Sequence, residues 1–463
     1  MTEQLKLKLN DSKATRWGAL VIVAFTMMAA YYVNDVVAPL KTMLETDLAW
    51  SSTDFGFFTG GYSFLNVFFL MLIWGGLILD RFGIRFTGKL ATILMVGGTA
   101  LEYYAMTGLA GADATLFGIN EIFGYKTGVF VAFAGYSIFG VGAEVAGITV
   151  SKIIAKWFKG KELATAMGVQ VALARIGSQA GYAVAIPLAR AFGISTPVLL
   201  GLVLLLGGMI AFFIFAVMDK KLDKQMEAAT IAAGTEDEEE KFSFKDVKNI
   251  LVNPGFWLIA LLCVLFYSCV FPFQKFASEL MIIKYGINEN VAGTFAGLPA
   301  LGALILTPVF GGFIDKRGKS ASIMLLGSAM LICVHFIYAI PDINYWLVAI
   351  VLMIILGIAF SLVPSAMWPA VAKIFPVSQL GTAYALIFFI QNIGLWGIPT
   401  LIGWVLDAYC ISGKKPDGTN MYDYTVPMCI FTGIACLSLI VALLLKKADK
   451  KYGYKLEEPN IQK

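Results

Sequence analysis

Charge is scarce in this chain. Asp, Glu, Lys and Arg make up 14% of its 463 residues, and His335 is the single histidine. Soluble domains of ordinary composition carry about 25% charged residues, so a soluble fold is excluded. No CxxC or HExxH spacing is present, which removes the common zinc and redox motifs; a phosphate-binding loop and a nucleophile elbow are equally lacking. The pattern argues against an enzyme, and neither a cofactor nor a metal is expected. The net charge of +4 is too small and too dispersed to imply a nucleic-acid partner. All six cysteines lie in the second half; Cys410 and Cys429 flank the last loop opposite the termini and could bridge in an oxidising space.

Apolar residues fill the space that charge leaves: 59% of the chain is hydrophobic and the mean hydropathy is +0.78. Between residues 17 and 445, twelve apolar runs can be drawn that are each long enough to cross about 30 Å of hydrocarbon. The fold class is therefore all-α and membrane-spanning, with both termini on one side and the lipid bilayer as obligatory partner. The first 16 residues are polar and the first apolar run is long enough to stay as a span, so no cleaved signal is expected. Basic residues are retained on the cytoplasmic side of a membrane. With the termini inside, 27 of the 35 Lys and Arg residues fall on that side. Seven fall outside: Lys41, Lys126, Arg190, Lys275, Lys284, Lys414 and Lys415. Arg175 is left over, inside a span.

One long polar segment, 219–252, divides the spans six and six; it contains the acidic run Glu236 to Glu240, expected to be a solvated loop. The expected organisation is an N-tail 1–16, a six-helix bundle 17–218, a cytoplasmic linker 219–252, a second bundle 253–445 and a C-tail 446–463. Between its second and third spans each half carries the same pattern. Gly76 is followed at fixed spacing by Asp80, Arg81, Gly83 and Arg85; Gly311 is followed by Asp315, Lys316, Gly318 and Lys319. Glycine permits close helix approach, and the charges can cap helix ends or bond to neighbours as a latch that breaks when the halves move. Anchoring of the topology by basic residues alone would not fix the Gly-Asp-Gly spacing.

Glu144 and Arg175 stand on either side of the basic turn Lys156 to Lys161. At 1.5 Å per residue both lie roughly 20–25 Å from it, level with each other in the membrane. An ionised group there costs at least about 2.5–3.5 kcal/mol and usually faces a bundle interior or a water-filled cavity. The pair either neutralises itself as a salt bridge, a weak source of stability, or forms a binding site. Polar groups at similar depth are Tyr31, Tyr32, Asn66, Tyr267, Gln391 and Asn392, all candidate substrate contacts. Glu102 and His335 are candidate proton-linked groups. Trp368, after Pro364, is expected as a gate or packing residue near the inner end of its span. Asp35, Lys275, Glu279 and Asp407, toward the outer ends, are expected in an outer gate.

The duplicated loop pattern in a twelve-span chain resembles that of the major facilitator superfamily, whose two six-helix halves rock about a central site. Within it, the block Trp157 to Leu163, Ala174-Arg175-Ile176-Gly177-Ser178, the Phe271-Pro272-Phe273 break and Gln391-Asn392-Ile393-Gly394-Leu395 resemble a branch of dipeptide uniporters that in animals are lysosomal. That resemblance implies a dipeptide substrate, with Glu144 and Arg175 receiving its two charged ends. The N-tail has no acidic dileucine signal, and Asn10-Asp11-Ser12, the one glycosylation-like triplet, falls on the inner side. A monomeric prokaryotic carrier in the inner membrane is therefore expected. The alternative is a proton-coupled or exchange carrier of small organic anions, with Arg175 on the carboxylate and Glu144 or Glu102 handling protons. A membrane receptor or scaffold is disfavoured by the duplicated halves and the lack of a large extramembrane domain.

Overall fold

The computed structural model describes residues 8–111, 114–158, 161–233 and 244–459. The first half comprises α1 (Lys13–Val36), a 3-10 turn (Ala38–Leu40), α2 (Lys41–Leu48), α3 (Ser52–Phe68), α4 (Met71–Thr107), α5 (Thr127–Trp157), α6 (Leu163–Phe192) and α7 (Thr196–Ala233). After α8 (Phe244–Val252) come α9 (Pro254–Tyr285), α10 (Glu289–Ala296), α11 (Leu298–Arg317), α12 (Ser320–Ala339), α13 (Trp346–Ile374), α14 (Val377–Tyr409) and α15 (Thr425–Tyr452). Two short antiparallel hairpins, β1 (Glu121–Ile122) with β2 (Tyr125–Lys126) and β3 (Ile411–Lys414) with β4 (Asn420–Tyr422), sit on the side opposite the termini. That side is the far face, and the other is the terminal face.

Among the described residues, nine helices are long and apolar enough to cross a membrane, and α3 with α4, meeting at 58°, makes a tenth span. The expected twelve need α6 and a division of α4. Gly83 supplies the division: at φ 75° and ψ 173° it leaves helical geometry, a conformation open to glycine because it lacks Cβ. The matching Gly318 closes α11 at φ 72°. The two glycines of the repeated pattern thus turn the chain at equivalent places in the two halves. Helix α6 falls short on hydropathy because it carries Gln170, Arg175, Ser178, Gln179 and Arg190, several of which reach the cavity or the seam between the halves.

Two helices extend past the expected bounds of their bundles, and the two outer-loop cysteines are unbridged. The linker expected from residue 219 begins inside α7, which continues to Ala233 because Asp219 to Ala233 is rich in good helix formers; α8 then occupies Phe244–Val252, and the acidic run 236–240 lies outside the described residues. Helix α15 likewise runs past 445 to Tyr452, ending in Lys450, Lys451 and a left-handed Gly453 cap. Cys410 and Cys429 are free thiols, Cys410 buried and Cys429 exposed.

The halves meet along two seams, α3 against α14 and α6 against α10 and α11. At Gly403, an added Cβ would lie 2.2 Å from the Ser52 carbonyl oxygen and 3.0 Å from Gly56 Cα. The backbones touch there, near the far face. Each described tail segment binds its own half. Arg16 binds Glu162 and Lys161 binds Asp11 at 2.9 Å. Residues 455–458 cross the α11–α12 turn, where Lys319 and Ser320 donate backbone N–H groups to the Glu457 and Leu456 carbonyls.

Candidate substrate-binding cavity

Glu144 projects from the middle of α5 and is half-buried; its Oε1 accepts a hydrogen bond from the Tyr62 hydroxyl of α3 at 3.0 Å. Arg175 projects from α6, also half-buried, with its guanidinium 5.5 Å from the Tyr31 ring of α1 and 4.9 Å from the Phe360 ring of α13. Among the described residues no carboxylate lies within 4.0 Å of Arg175. The mutual salt bridge is absent. Arg175, from the first half, therefore rests on an aromatic cluster of the second: Phe360 meets Phe271 at 5.3 Å and Tyr267 at 6.2 Å, and those two rings stack at 5.4 Å. Cation–π contact stabilises the guanidinium without neutralising it, leaving its N–H fork available to a carboxylate. Tyr31 lies within electrostatic reach of both Arg175 and Glu144.

The other candidates divide. Tyr32 is buried and turned away, its hydroxyl donating to the Pro197 carbonyl on α7 at 3.2 Å. Gln391 accepts from the Cys263 thiol at 3.4 Å, and Asn392 donates to Phe388 in its own helix at 2.9 Å, both inside the second half. Asn66 is buried, and neither its amide oxygen nor its nitrogen has a hydrogen-bond partner among the described residues. Glu102 and His335 are both fully buried without a hydrogen-bond partner, the imidazole lying between Phe273 and Phe431. Among the described residues neither is hydrogen-bonded or ion-paired to Glu144 or Arg175. Trp368 stacks on Phe388 at 4.8 Å, and its carbonyl accepts from Tyr384, so it packs within the second half. Tyr62 and Phe360 were missed by sequence reading. Tyr62 lies one helical turn before Asn66 and could have been found from that spacing; Phe360, one aromatic among many, carries no signal.

Toward the far face the halves are joined by polar contacts. Lys275 of α9 donates to the Asn34 carbonyl at 2.5 Å and lies 3.3 Å from both Asp35 Oδ1 and the Tyr136 hydroxyl; Ser178 donates to Asp35 Oδ2 at 2.5 Å. Beyond them Lys41 binds Glu45 and Glu279 at 2.5 Å each, Tyr424 donates to Glu279, and Lys415 lies 3.7 and 3.6 Å from the same two carboxylates. Lys41, expected in an outer loop, is 1% exposed: Pro39 breaks α1 and the next turn folds the lysine in between the halves. Tyr424, ahead of α15, has its hydroxyl pushed well above the ordinary range by burial and then by Glu279. Asp407 adds backbone bonds from Ser52 and Thr53.

The terminal face is held differently. Asp80 binds Lys152 at 3.0 Å; Arg85 binds Asp223 at 2.8 Å and lies 3.8 Å from Asp219; Lys156 binds both aspartates, and Trp157 donates to Asp219. All of these lie in the first half. Arg81 lies over Phe82 and is exposed, as is Lys316.

Apolar spanning helices, two halves joined along paired seams and a turning glycine at the same place in each half make a carrier architecture, and the sequence matches the family described as Major Facilitator Superfamily over residues 20–399 and 276–458. The chain belongs to that superfamily. Its relatives include the protein named lysosomal dipeptide transporter MFSD1. The human protein is 29% identical over 454 residues, which is 95% of this chain and 88% of the relative. The Danio rerio protein is 26% identical, covering 93% and 86%. Solved superfamily structures share the fold. A single-residue mutant of the nucleoside transporter NupG superposes with a TM-score of 0.68 at 12% identity, covering 92% of this chain and 98% of that one. A bacterial homologue of the human lysosomal transporter Spinster, inward-facing and unoccupied, superposes at 0.62 and 14% identity, covering 98% and 99%. The chain is thus a multi-pass membrane transporter of the Major Facilitator Superfamily, all-α and built of two bundles.

Proposed function

We propose that this transporter carries dipeptides, or similar small zwitterionic peptides, by rocker-switch alternating access, with Glu144 receiving the ammonium and Arg175 the carboxylate. The observation that carries this reading is that the two charges are separate. A pair kept only to neutralise itself would be in contact, whereas here a carboxylate held by Tyr62 and a guanidinium held by two aromatic rings are each left half-buried and unmatched. A zwitterion supplies both missing charges at once. The dipeptide transporters among the relatives support the same substrate class.

In this reading the protein is a uniporter and works as a monomer in a bacterial inner membrane, its terminal face cytoplasmic. Tyr31 and Tyr267 line the path; Asp80, Arg81, Gly83 and Arg85, with Asp315, Lys316 and Gly318, latch and release the terminal face. Uptake of labelled dipeptide into proteoliposomes tests the site. Loss of one charged partner costs about 2–5 kcal/mol, so Glu144→Gln and Arg175→Met should each weaken half-saturation by about 30-fold or more. Undiminished uptake in both variants would refute the assignment. N-acetylated dipeptides should compete poorly.

A second reading rests on Glu102, a carboxylate buried with both oxygens unpartnered. A proton-coupled carrier of small organic anions would need such a group. It predicts substrate-driven acidification of the vesicle lumen that Glu102→Gln abolishes, and competition by N-acetylated and free substrates alike.

A further inference from the structure

A groove opens between α4 and α7 near the terminal face, outside the bundle and away from Glu144 and Arg175. It has a volume of about 500 Å³ and is lined by Phe82, Arg85, Phe86 and Lys89 from α4 and by Ala216, Val217 and Lys220 from α7. Gly88 brings the helices together here, since a Cβ at that position would lie 1.9 Å from the Phe212 ring. The groove therefore has a floor.

Its charges are unevenly matched. Arg85 is bound by Asp223 at 2.8 Å and approaches Asp219 at 3.8 Å, and both aspartates are also bound by Lys156. Lys89 and Lys220 have no carboxylate within 4.0 Å among the described residues; the Lys89 ammonium lies 5.1 Å from the Phe213 ring. Two ammonium groups thus reach the same groove unpaired. The walls are apolar and outward-facing: Phe82 is 55% exposed, Phe86 49% and Val217 58%, and along α7 Ile210, Phe213 and Ile214 continue the exposed stripe toward the middle of the span.

We propose that this groove binds one anionic phospholipid, its phosphate between Lys89 and Lys220 and its acyl chains along the exposed stripe of α7. Basic pockets between spanning helices near the headgroup level recognise anionic lipids in this way. A soluble phosphate would gain the same two ammonium groups but nothing from the apolar wall, so the continuity of charge with stripe selects a lipid. A phosphate beside Arg85 would also compete with Asp223 for the guanidinium, linking the lipid to the contact between α4 and α7.

Native mass spectrometry of the purified full chain tests this, with phosphatidylglycerol and phosphatidylcholine added at equal ratio. The wild type should retain phosphatidylglycerol in preference, and K89Q/K220Q should lower that retention at least about tenfold while leaving phosphatidylcholine unchanged. Val217→Trp, which fills the groove and keeps both charges, should lower phosphatidylglycerol retention as well and carries the test if the double variant is poorly folded. Full retention in either variant would overturn the proposal. So would an equal loss in K316Q/R317Q, distant basic positions of the other half, because it would mean unspecific attraction. Displacement of the lipid by millimolar inorganic phosphate would reassign the groove to a soluble anion and equally overturn it.

Discussion

At the far face Lys41 of the first half lies 2.5 Å from Glu279 of the second, whereas at the terminal face Arg85 and Lys156 bind Asp219 and Asp223 of their own half. The Lys41 contacts join the bundles; those of Arg85 and Lys156 stiffen a single bundle. In the proposed alternating-access cycle the far contacts are the ones that must break for the far face to open. Buried ion pairs suit that task. They add little net stability, because desolvation cancels most of the attraction. Opening returns water to Lys41, Glu45, Glu279 and Lys415 and recovers that cost, so the closed and open arrangements stay close in free energy. An apolar seam of equal area would give no such return.

Lys41→Met should break this comparison most strongly. It leaves Glu45 and Glu279 facing each other in a buried site with only Lys415, at 3.7 and 3.6 Å, to offset them. Removing one partner of a buried pair costs about 3–5 kcal/mol, and opening the far face is the route that relieves it. Spin labels at Thr46 and Lys414, exposed on opposite halves, should move apart as the melting temperature falls. An unchanged distance and an unchanged melt would show that Lys41 is not what holds the halves.

Gly403→Val separates charge from shape at the same face. Its Cβ would stand 2.2 Å from the Ser52 carbonyl, which belongs to the facing backbone and has little room to yield. Overpacking of this kind costs about 1–3 kcal/mol. The cost falls on the closed far face alone, so the label distance should lengthen without the larger loss of stability expected of Lys41→Met. If the distance stays put, the seam at Gly56 and Gly403 is not a moving surface.

The architecture was legible wherever the sequence repeats itself or sets polar groups against an apolar background. Gly83 and Gly318 could be matched by spacing alone, and each proves to turn the chain at positive φ. Glu144 and Arg175 stood out because charge inside an apolar helix is expensive. What surrounds them was not legible: Tyr62 and Phe360 come from helices far away in sequence, and a tyrosine or phenylalanine among so many aromatics carries no mark of its partner. The burial of Lys41 is hidden for a related reason. A lysine two residues after a proline looks like a loop residue until the second half supplies Glu279 and the far hairpin supplies Lys415. The helical state of residues 219–233 is not legible either, because loss of hydrophobicity marks the end of an apolar run and not the end of a helix.

Asp219→Ala sharpens the comparison from the terminal side. The aspartate is fully buried and accepts from Lys156 and Trp157 while lying near Arg85. Its loss orphans the indole N–H and costs about 1–3 kcal/mol. Because every partner lies in the first half, the melt should fall while the far-face label distance stays constant. A changed distance would mean that the terminal cluster is coupled to the gate.

The smallest effect belongs to the N-tail clasp. Asp11 is held below its ordinary range first by a hydrogen bond from Lys161, and Glu162 below its own by backbone hydrogen bonding and then by Arg16. A carboxylate whose folded pKa is depressed adds stability above its unfolded pKa and loses it as pH falls through the folded one. Both ordinary values, 3.8 and 4.5, lie below physiological pH. The clasp should therefore be nearly constant from neutral pH down to about pH 5.5 and weaken progressively below about pH 5. Melting temperatures of Asp11→Asn and Glu162→Gln should sit slightly below wild type at pH 7 and converge with it in acid, since wild type loses there what the variants already lack. The clasp residues Asp11 and Arg16 bind Lys161 and Glu162 of the first half, so the far-face distance should not follow the same curve. If it did, clasp and gate would be one network, and the separation of the two faces would fail at its weakest contact.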